Sequence, residues 1–246
     1  MIKIKKLLVV FGLLFNFTIY ANVSVTLSDV YVDLEDLSAV KRGSRIFFDY
    51  CQGCHSLKYM RYADLAHGLK FNTDTNKKIR EYFLHSTDAL SENTAILTTM
   101  TKDSAKWFGK TPPDLSLVAR YRGVNWLYSY MISFYKDNTR PWGVNNLVFP
   151  DVGMPHVLLK LQGVQVLNDK ATVDDDLFFM FRTLENGIIS KEKYNELVLD
   201  LVTFLSYVAE PNKITSEKIG FYVIIYFIIL AIILFMLKKS YWEDIK

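Results

Sequence analysis

The chain has 246 residues, half of them hydrophobic, with 17 Phe, 15 Tyr, 11 Gly and 6 Pro. This composition fits one folded domain and excludes wholesale disorder. The formal net charge of +3 disappears if three N-terminal lysines are removed by processing, and no basic stripe with interleaved aromatic residues is present, so nucleic-acid binding is not expected.

The first 21 residues have the order of a secretory signal peptide. Three lysines come first, an apolar run from Leu7 to Phe15 follows, and a small residue, Ala21, closes the segment. Ile19 stands where a small residue is preferred, so an uncleaved anchor is the alternative. Either interpretation predicts that the following domain, residues 22–216, is exported.

Ser38 to Tyr50 has the spacing of an amphipathic helix. Val40, Phe47 and Tyr50 fall on one face, with the small residue Gly43 between them. This predicted helix leads directly into the first cysteine.

The segment Cys51-Gln52-Gly53-Cys54-His55 is the attachment motif of c-type haem. Two thiols three residues apart can each bond one vinyl group of the porphyrin, and the next residue then projects an imidazole toward the iron. A bare C-x-x-C would also fit a thioredoxin-like dithiol or half of a zinc site. The adjoining histidine, the lack of any further cysteine and the export signal argue against both, so we predict one covalent haem c.

A second helical pattern runs from Leu115 to Phe134 and is interrupted at Gly123. Before the interruption, Arg120 and Arg122 are both candidates to pair with a haem propionate. Residues 64–111 and 136–176 are mixed and turn-rich, and no sustained alternation of polar and apolar residues occurs. We therefore predict an all-α domain whose helices are joined by long loops.

An electron-carrying haem needs a sixth ligand on its distal face. Met154 is our choice, because Gly153 and Pro155 place it in an irregular loop that can bring a thioether against a metal. His156 is the close rival. Packing or proximity to the motif explains most of the other methionines and histidines, which are Met60, Met100, Met131, Met180, His67 and His85.

The carboxyl-terminal third predicts two further helices. Ser190 is a plausible N-cap for an amphipathic helix that stops at Glu210-Pro211. Residues 219–237 then form an uncharged apolar run, about the length that spans a bilayer core, with Lys238 and Lys239 behind it. We predict a transmembrane anchor over 219–237 and a cytoplasmic tail over 238–246, because the preceding domain is exported.

Taken together, these segments resemble the cytochrome c1 family, the haem-bearing subunit of the ubiquinol–cytochrome c reductase (bc1) complex. The resemblance covers nearly the whole mature chain. The segments that carry it are Cys51 to His55, Trp107-Phe108-Gly109, Pro112-Pro113-Asp114-Leu115-Ser116-Leu117, Gly153-Met154-Pro155-His156, Leu161-Gln162-Gly163, Ala209-Glu210-Pro211 and the terminal anchor.

The resemblance implies a class I cytochrome c core with long loop insertions, in which Gly43 and Phe47 cross the C-terminal helix of the domain. It implies that Pro112 to Ser116, including Pro113, wall the haem and that Arg120 or Arg122 reaches a propionate. The implied role is a non-catalytic electron carrier that takes one electron from a Rieske iron–sulfur protein and reduces a cytochrome c. Cytochrome b, a dimeric complex and the bacterial inner membrane, with the haem domain in the periplasm, complete the implied setting.

Other functions remain open from the residues alone. A membrane-anchored c-type subunit of a terminal oxidase or nitric oxide reductase would share the anchor and the single haem. An exported thiol-disulfide protein or haem chaperone would use Cys51 and Cys54 as free thiols. A haem-based ligand sensor would leave the sixth position vacant.

Overall fold

The computed structural model describes residues 25–70, 93–98, 100, 103–171 and 175–243. The predicted signal peptide, residues 1–21, lies outside the described residues. The helices of the described part are α1 (Leu37–Tyr50), α2 (Tyr62–Gly68), α3 (Ser104–Phe108), α4 (Val118–Arg122), α5 (Val124–Ile132), α6 (Leu159–Gln162), α7 (Lys191–Ala209) and α8 (Lys213–Glu243). The strands are β1 (Leu57–Arg61), β2 (Ala95–Ile96), β3 (Phe134–Lys136), β4 (Val144–Asn146), β5 (Gly163–Leu167) and β6 (Phe181–Asn186).

Helix α1 confirms the predicted helix before the first cysteine. The side chain of Asp36 caps its first turn by accepting hydrogen bonds from the backbone of Ser38 and Ala39, at 2.9 and 3.1 Å. An N-terminal carboxylate satisfies free N–H groups there and interacts favourably with the helix dipole. The buried face carries Val40, Gly43 and Phe47.

Helix α1 crosses α7 in close contact, and this crossing is the centre of the core. A Cβ atom at Gly43 would lie 1.9 Å from the carbonyl oxygen of Asp200 and 2.8 Å from the Cβ of Phe204. The rings of Phe47 and Phe204 meet with centroids 5.6 Å apart. Arg42 closes the edge of the crossing with two hydrogen bonds to Asp200, at 2.6 and 2.7 Å. The expected crossing of Gly43 and Phe47 with the last helix of the domain is therefore confirmed.

Helix α7 has the predicted bounds. Ser190 accepts a hydrogen bond from the backbone of Lys193 at 3.3 Å, and the helix ends at Ala209, just before Glu210-Pro211. Tyr194 is fully buried and donates its hydroxyl to the carbonyl oxygen of Met131 at 2.9 Å. This bond joins α7 to α5.

Gly123 separates α4 from α5, as the sequence predicts. Its φ of +86° lies in the left-handed region that favours glycine. The chain turns there, and the two short helices contact each other and α7.

The described residues contain three two-stranded antiparallel sheets. The prediction of helices joined only by long loops missed them. Leu57 pairs with Ile96, Phe134 with Asn146, and Gly163 with Asn186. Each strand has two to six residues. Strands this short carry too few residues for a period-two pattern to be recognised. The described part is thus helix-rich rather than purely helical.

Helix α8 has 31 residues, and none of them is buried. Its most apolar 18-residue window has a mean hydropathy of 2.9 and is 0% buried. An apolar helix of this length, with no residue buried against the described part of the chain, is long enough to cross a membrane. The helix begins at Lys213, before the predicted span at residues 219–237.

Candidate haem site

The motif from Cys51 to His55 forms a compact turn at the end of α1. The backbone N–H of Cys51 donates to Phe47 at 2.8 Å, and the N–H of His55 donates to Cys51 at 2.8 Å. Both cysteines and the histidine are therefore carried on one continuation of the helix. The helix that the sequence predicts before the motif accounts for this placement.

His55 is held by the backbone carbonyl of Pro113, which is distant in the sequence. Its Nδ1 lies 2.7 Å from the carbonyl oxygen of Pro113. Because a carbonyl oxygen only accepts, Nδ1 must carry the proton, which leaves the Nε2 lone pair free for a metal. Burial lowers the pKa of His55, so the neutral ligand form is favoured. A hydrogen bond from the ring nitrogen that does not bind the metal fixes the orientation of metal-binding imidazoles.

The segment from Pro113 to Ser116 is itself tied to the chain that follows the motif. Asp114 accepts a hydrogen bond from the backbone of Lys58 at 2.9 Å, and Ser116 accepts one from Tyr59 at 3.1 Å. The backbone of Leu115 donates to the carbonyl of Ser56 at 2.9 Å. The Pro113 carbonyl is therefore positioned by several independent contacts.

Both thiols sit in surroundings that disfavour thiolate. Cys51 is buried, and burial raises its pKa to about 12. Burial also raises the pKa of Cys54. Thiol-disulfide enzymes need an accessible thiolate of lowered pKa. The interpretation as a thiol-disulfide protein is therefore disfavoured.

Sequence reasoning found no signal in residues 65–105, yet part of this stretch contacts the motif. Thr98 donates its hydroxyl to the carbonyl of Gly53 at 2.7 Å, and its own N–H donates to the Ser56 hydroxyl at 2.9 Å. Gln52 donates to the hydroxyl of Tyr62 at 2.7 Å. A single threonine in a long loop gives no pattern that could have revealed this role.

Met154 lies in the irregular loop after β4, where it is half-buried. The hydroxyl of Tyr130 on α5 donates to its Sδ atom at 3.4 Å. Burial raises the pKa of Tyr130, so this hydroxyl keeps its proton. Sequence reasoning identified the methionine but missed the tyrosine, whose position on an apolar helix face is explained equally well by packing.

Two asparagines organise the start of this loop. Asn146 is fully buried, and its Oδ1 accepts from the backbone of Val148 and Phe149 at 3.0 and 2.9 Å. Its Nδ2 donates to the carbonyl of Tyr130 at 2.7 Å. Asn145 accepts from the backbone of Asp151 at 2.9 Å. The loop that carries the methionine is thus fixed to α5 and β4 rather than free.

His156, the rival distal ligand, is engaged elsewhere. The side-chain amide of Gln162 donates to the Ile132 carbonyl at 3.0 Å, so its Oε1 faces His156 and accepts from Nε2. The imidazole also stacks on Phe134, with centroids 4.7 Å apart and planes 5° from parallel. Burial lowers the pKa of His156 to about 4. These contacts explain His156 as part of the packing around the loop and favour Met154.

Three of the six other candidate ligands have packing roles in the described part of the chain. Met131 and Met60 are buried in the core, Met180 packs against it, and His67 is exposed on α2. Met100 is half-buried beside Thr98. His85 lies outside the described residues.

The two candidate arginines differ in their surroundings. Arg120 is exposed and pairs with Glu210 at 3.5 Å. The guanidinium of Arg122 lies over the ring of Trp126, 4.7 Å from its centroid. Trp126 in turn stacks on Tyr130 at 5.0 Å, the tyrosine that contacts Met154. Arg122 is therefore linked to the methionine side of the site.

The donor set fits a haem with two thioether bonds. It offers two adjacent thiols, an imidazole whose Nε2 is left free, and a thioether on a fixed loop. Cavities of about 460 and 650 Å³ in the described part of the chain are lined by residues other than Cys51, Cys54, His55 and Met154. The site is therefore recognised by its donor groups and not by a cavity. These features define the class of protein: a c-type cytochrome with a membrane anchor.

Comparison with known proteins identifies the family within this class. A model of the cytochrome c1 family matches residues 29–245. Cytochrome c1 of Allochromatium vinosum is 42% identical over 223 residues, 89% of each chain. A protein of Nitrosomonas europaea named as the gamma subunit of ammonia monooxygenase is 36% identical over 222 residues, 90% of this chain and 89% of its own. A chain of a solved hyperthermophilic respiratory Complex III covers 100% of this chain and 97% of its own, with a TM-score of 0.43 and 16% identity.

The chain belongs to the cytochrome c1 family. The resemblance drawn from its sequence motifs is therefore confirmed. Membership gives it one covalently bound haem c, an electron-transfer role in the bc1 complex of a respiratory chain, and, with α8, a membrane anchor.

Proposed function

We propose that Cys51 and Cys54 form the thioether bonds to haem c and that His55 and Met154 are the axial ligands of its iron. The observation that carries this assignment is the hydrogen bond from His55 Nδ1 to the Pro113 carbonyl at 2.7 Å. It gives the imidazole the tautomer that an iron ligand requires. Met154 is the described thioether that lies in an irregular loop anchored to the haem domain by buried side chains.

The haem, when bound, supplies the one-electron Fe³⁺/Fe²⁺ couple. The residues of this chain set its properties. His55 is kept neutral and oriented by Pro113. A thioether on the other face favours ferrous over ferric iron, so a His/Met pair gives a higher potential than two histidines. Pro113 and its neighbours wall the site, and Arg122, rather than Arg120, pairs with a propionate because Arg120 is engaged by Glu210.

In this proposal the chain takes one electron from a Rieske iron–sulfur protein and donates it to a cytochrome c. The membership of the bc1 complex supports these partners, with cytochrome b beside the anchor and two copies of the assembly forming a dimer. The anchor would keep the haem domain at the membrane surface while the carriers on either side move.

The proposed arrangement in the membrane follows the sequence. Residues 1–21 are removed as a signal peptide, 22–216 form the periplasmic domain, 219–237 span the bacterial inner membrane and 238–246 are cytoplasmic. The domain is a class I cytochrome c core, in which α1 and α7 cross and α5 lies against α7. The crossing at Gly43 and the placement of the motif at the end of α1 support that fold.

Deleting the gene for this chain should abolish quinol-dependent reduction of cytochrome c in membranes, and the wild-type gene should restore it. A gene with Cys51→Ser and Cys54→Ser should not restore it. Retention of the activity in the deletion strain would refute the assignment.

The proteins that co-purify with this chain distinguish the bc1 complex from the alternative functions. Co-purification with a Rieske protein and cytochrome b supports the bc1 complex, whereas a copper or non-haem iron subunit would indicate an oxidase, a nitric oxide reductase or a monooxygenase.

A further inference from the structure

We propose that Tyr130 is a positioning residue for the distal ligand: its hydroxyl donates a hydrogen bond to the Met154 thioether and raises the reduction potential of the haem. This inference rests on the proposed role of Met154 as the sixth ligand. The contact that carries it is the distance of 3.4 Å from the Tyr130 hydroxyl to Met154 Sδ.

The chemistry of the thioether allows both interactions at once. A methionine sulfur has two lone pairs, one for the iron and one for a hydrogen-bond donor. A donor on the second lone pair withdraws electron density from the sulfur. Because ferric iron depends on that density more than ferrous iron does, the hydrogen bond favours the ferrous state.

The phenol ring of Tyr130 is held so that its hydroxyl stays on the sulfur. One face stacks on Trp126, with centroids 5.0 Å apart and planes 10° from parallel. Phe134 meets it edge-on, at 5.2 Å and 72°. Trp126 is covered in turn by the guanidinium of Arg122. Two rings packed against the phenol leave it little freedom to rotate away from the methionine.

The backbone of Tyr130 and the loop of Met154 are also joined directly. Asn146 donates from Nδ2 to the Tyr130 carbonyl at 2.7 Å while its Oδ1 holds the N–H groups of Val148 and Phe149. The donor and the acceptor of the hydroxyl–sulfur bond therefore belong to one rigid unit. Such preorganisation is what allows a single hydrogen bond to tune a metal site.

The test compares full-length holoprotein carrying Tyr130→Phe with Tyr128→Phe and Met154→Leu. Tyr128 is a buried tyrosine on the same helix, and it serves as the matched control for loss of a hydroxyl. Each variant is titrated optically for its midpoint potential, and the sulfur-to-iron charge-transfer band of the ferric protein is recorded. The ring of Tyr130→Phe keeps its stacking, so only the hydroxyl is removed.

We expect Tyr130→Phe to lower the reduction potential of the haem. At a fixed ambient potential, the ratio of ferrous to ferric haem should be about two- to fivefold smaller, because one hydrogen bond is lost. Tyr128→Phe should match the wild type. The charge-transfer band should persist but shift in Tyr130→Phe; its loss there alone would also support the proposal, since the hydroxyl would then be needed to hold the ligand.

A potential and a band in Tyr130→Phe that equal those of the wild type would overturn the proposal. Met154→Leu distinguishes this failure from that of the proposed function. If Met154→Leu loses the band, the methionine remains the ligand and only the role of Tyr130 is refuted. If it keeps the band and the potential, the assignment of Met154 itself is wrong.

Discussion

Asn146 shows how a single buried side chain can hold in place a proposed iron ligand, Met154, that it does not itself contact. Its amide makes bonds to the backbone of Tyr130, Val148 and Phe149 and to the hydroxyl of Ser133. Val148 and Phe149 belong to the loop that carries Met154, whereas Tyr130 and Ser133 lie at the end of α5. Hydrogen bonds from Asn146 to the backbone therefore fix the loop of Met154, the proposed distal ligand.

Asn146→Ala should destabilise the domain and loosen the sixth ligand. The change leaves buried N–H and C=O groups unpaired, which should cost about 3 kcal/mol. We expect a lower urea midpoint, followed by haem absorbance, and faster binding of carbon monoxide to the reduced protein.

Asn168→Ala is the matched control, because Asn168 makes similar side-chain bonds in an exposed loop. It should change stability by less than about 1 kcal/mol. Equal effects of the two substitutions would show that Asn146 has no special role at the site.

At the scale of residues, the sequence identified the candidate binding atoms and missed the atoms that hold them in place. The C-x-x-C-H spacing and the Gly-Met-Pro context pick out Cys51, Cys54, His55 and Met154, because covalent and metal chemistry restricts residue type. Thr98 and Asn146 act through hydrogen bonds that many residue types can make, and their partners are distant in sequence. Only the folded chain shows those contacts.

At the scale of elements, the crossing of α1 and α7 depends on the absence of a side chain at Gly43. Gly43→Ala would place a Cβ 1.9 Å from the Asp200 carbonyl oxygen, and neither helix backbone can yield without separating the pair. We expect a loss of about 3 kcal/mol in the free energy of unfolding. A fall in the urea midpoint of the holoprotein measures it.

Arg45→Ala on the same helix is the control, since it removes an exposed ion pair with Asp49 that is worth less than about 1 kcal/mol. A Gly43→Ala protein as stable as the Arg45→Ala protein would show that α1 and α7 are not in close contact at Gly43.

Helices α1 and α7 were predictable because each is long enough for its apolar period to be visible, and Ser190 marks the start of α7. The strands were not predictable, because two to six residues carry no recognisable alternation of polar and apolar side chains. Each strand pairs with a segment that is separated from it in the sequence by a loop. The sheets are thus a product of tertiary contacts.

At the scale of the whole molecule, α8 and the haem domain are separable. No residue of α8 is buried, so among the described residues the helix adds no side chain to the core of the domain. A stop codon after Asn212 should yield a soluble, exported haem protein with the wild-type visible spectrum.

Cell fractionation and N-terminal sequencing of the truncated protein would check this. Recovery in the membrane with residues 1–21 still attached would show that the N-terminal segment is an uncleaved anchor. Loss of the haem spectrum in a truncated protein that is stably exported would show that α8 supports the site.

The most direct test is mass spectrometry of the tryptic peptide that spans residues 46–58 from the purified protein. We predict that this peptide carries the mass of one haem, retained after denaturation and acid extraction, and that no free thiol remains at either cysteine. A peptide with unmodified thiols, or with a disulfide between Cys51 and Cys54, would contradict the assignment of this chain as a haem-bearing electron carrier.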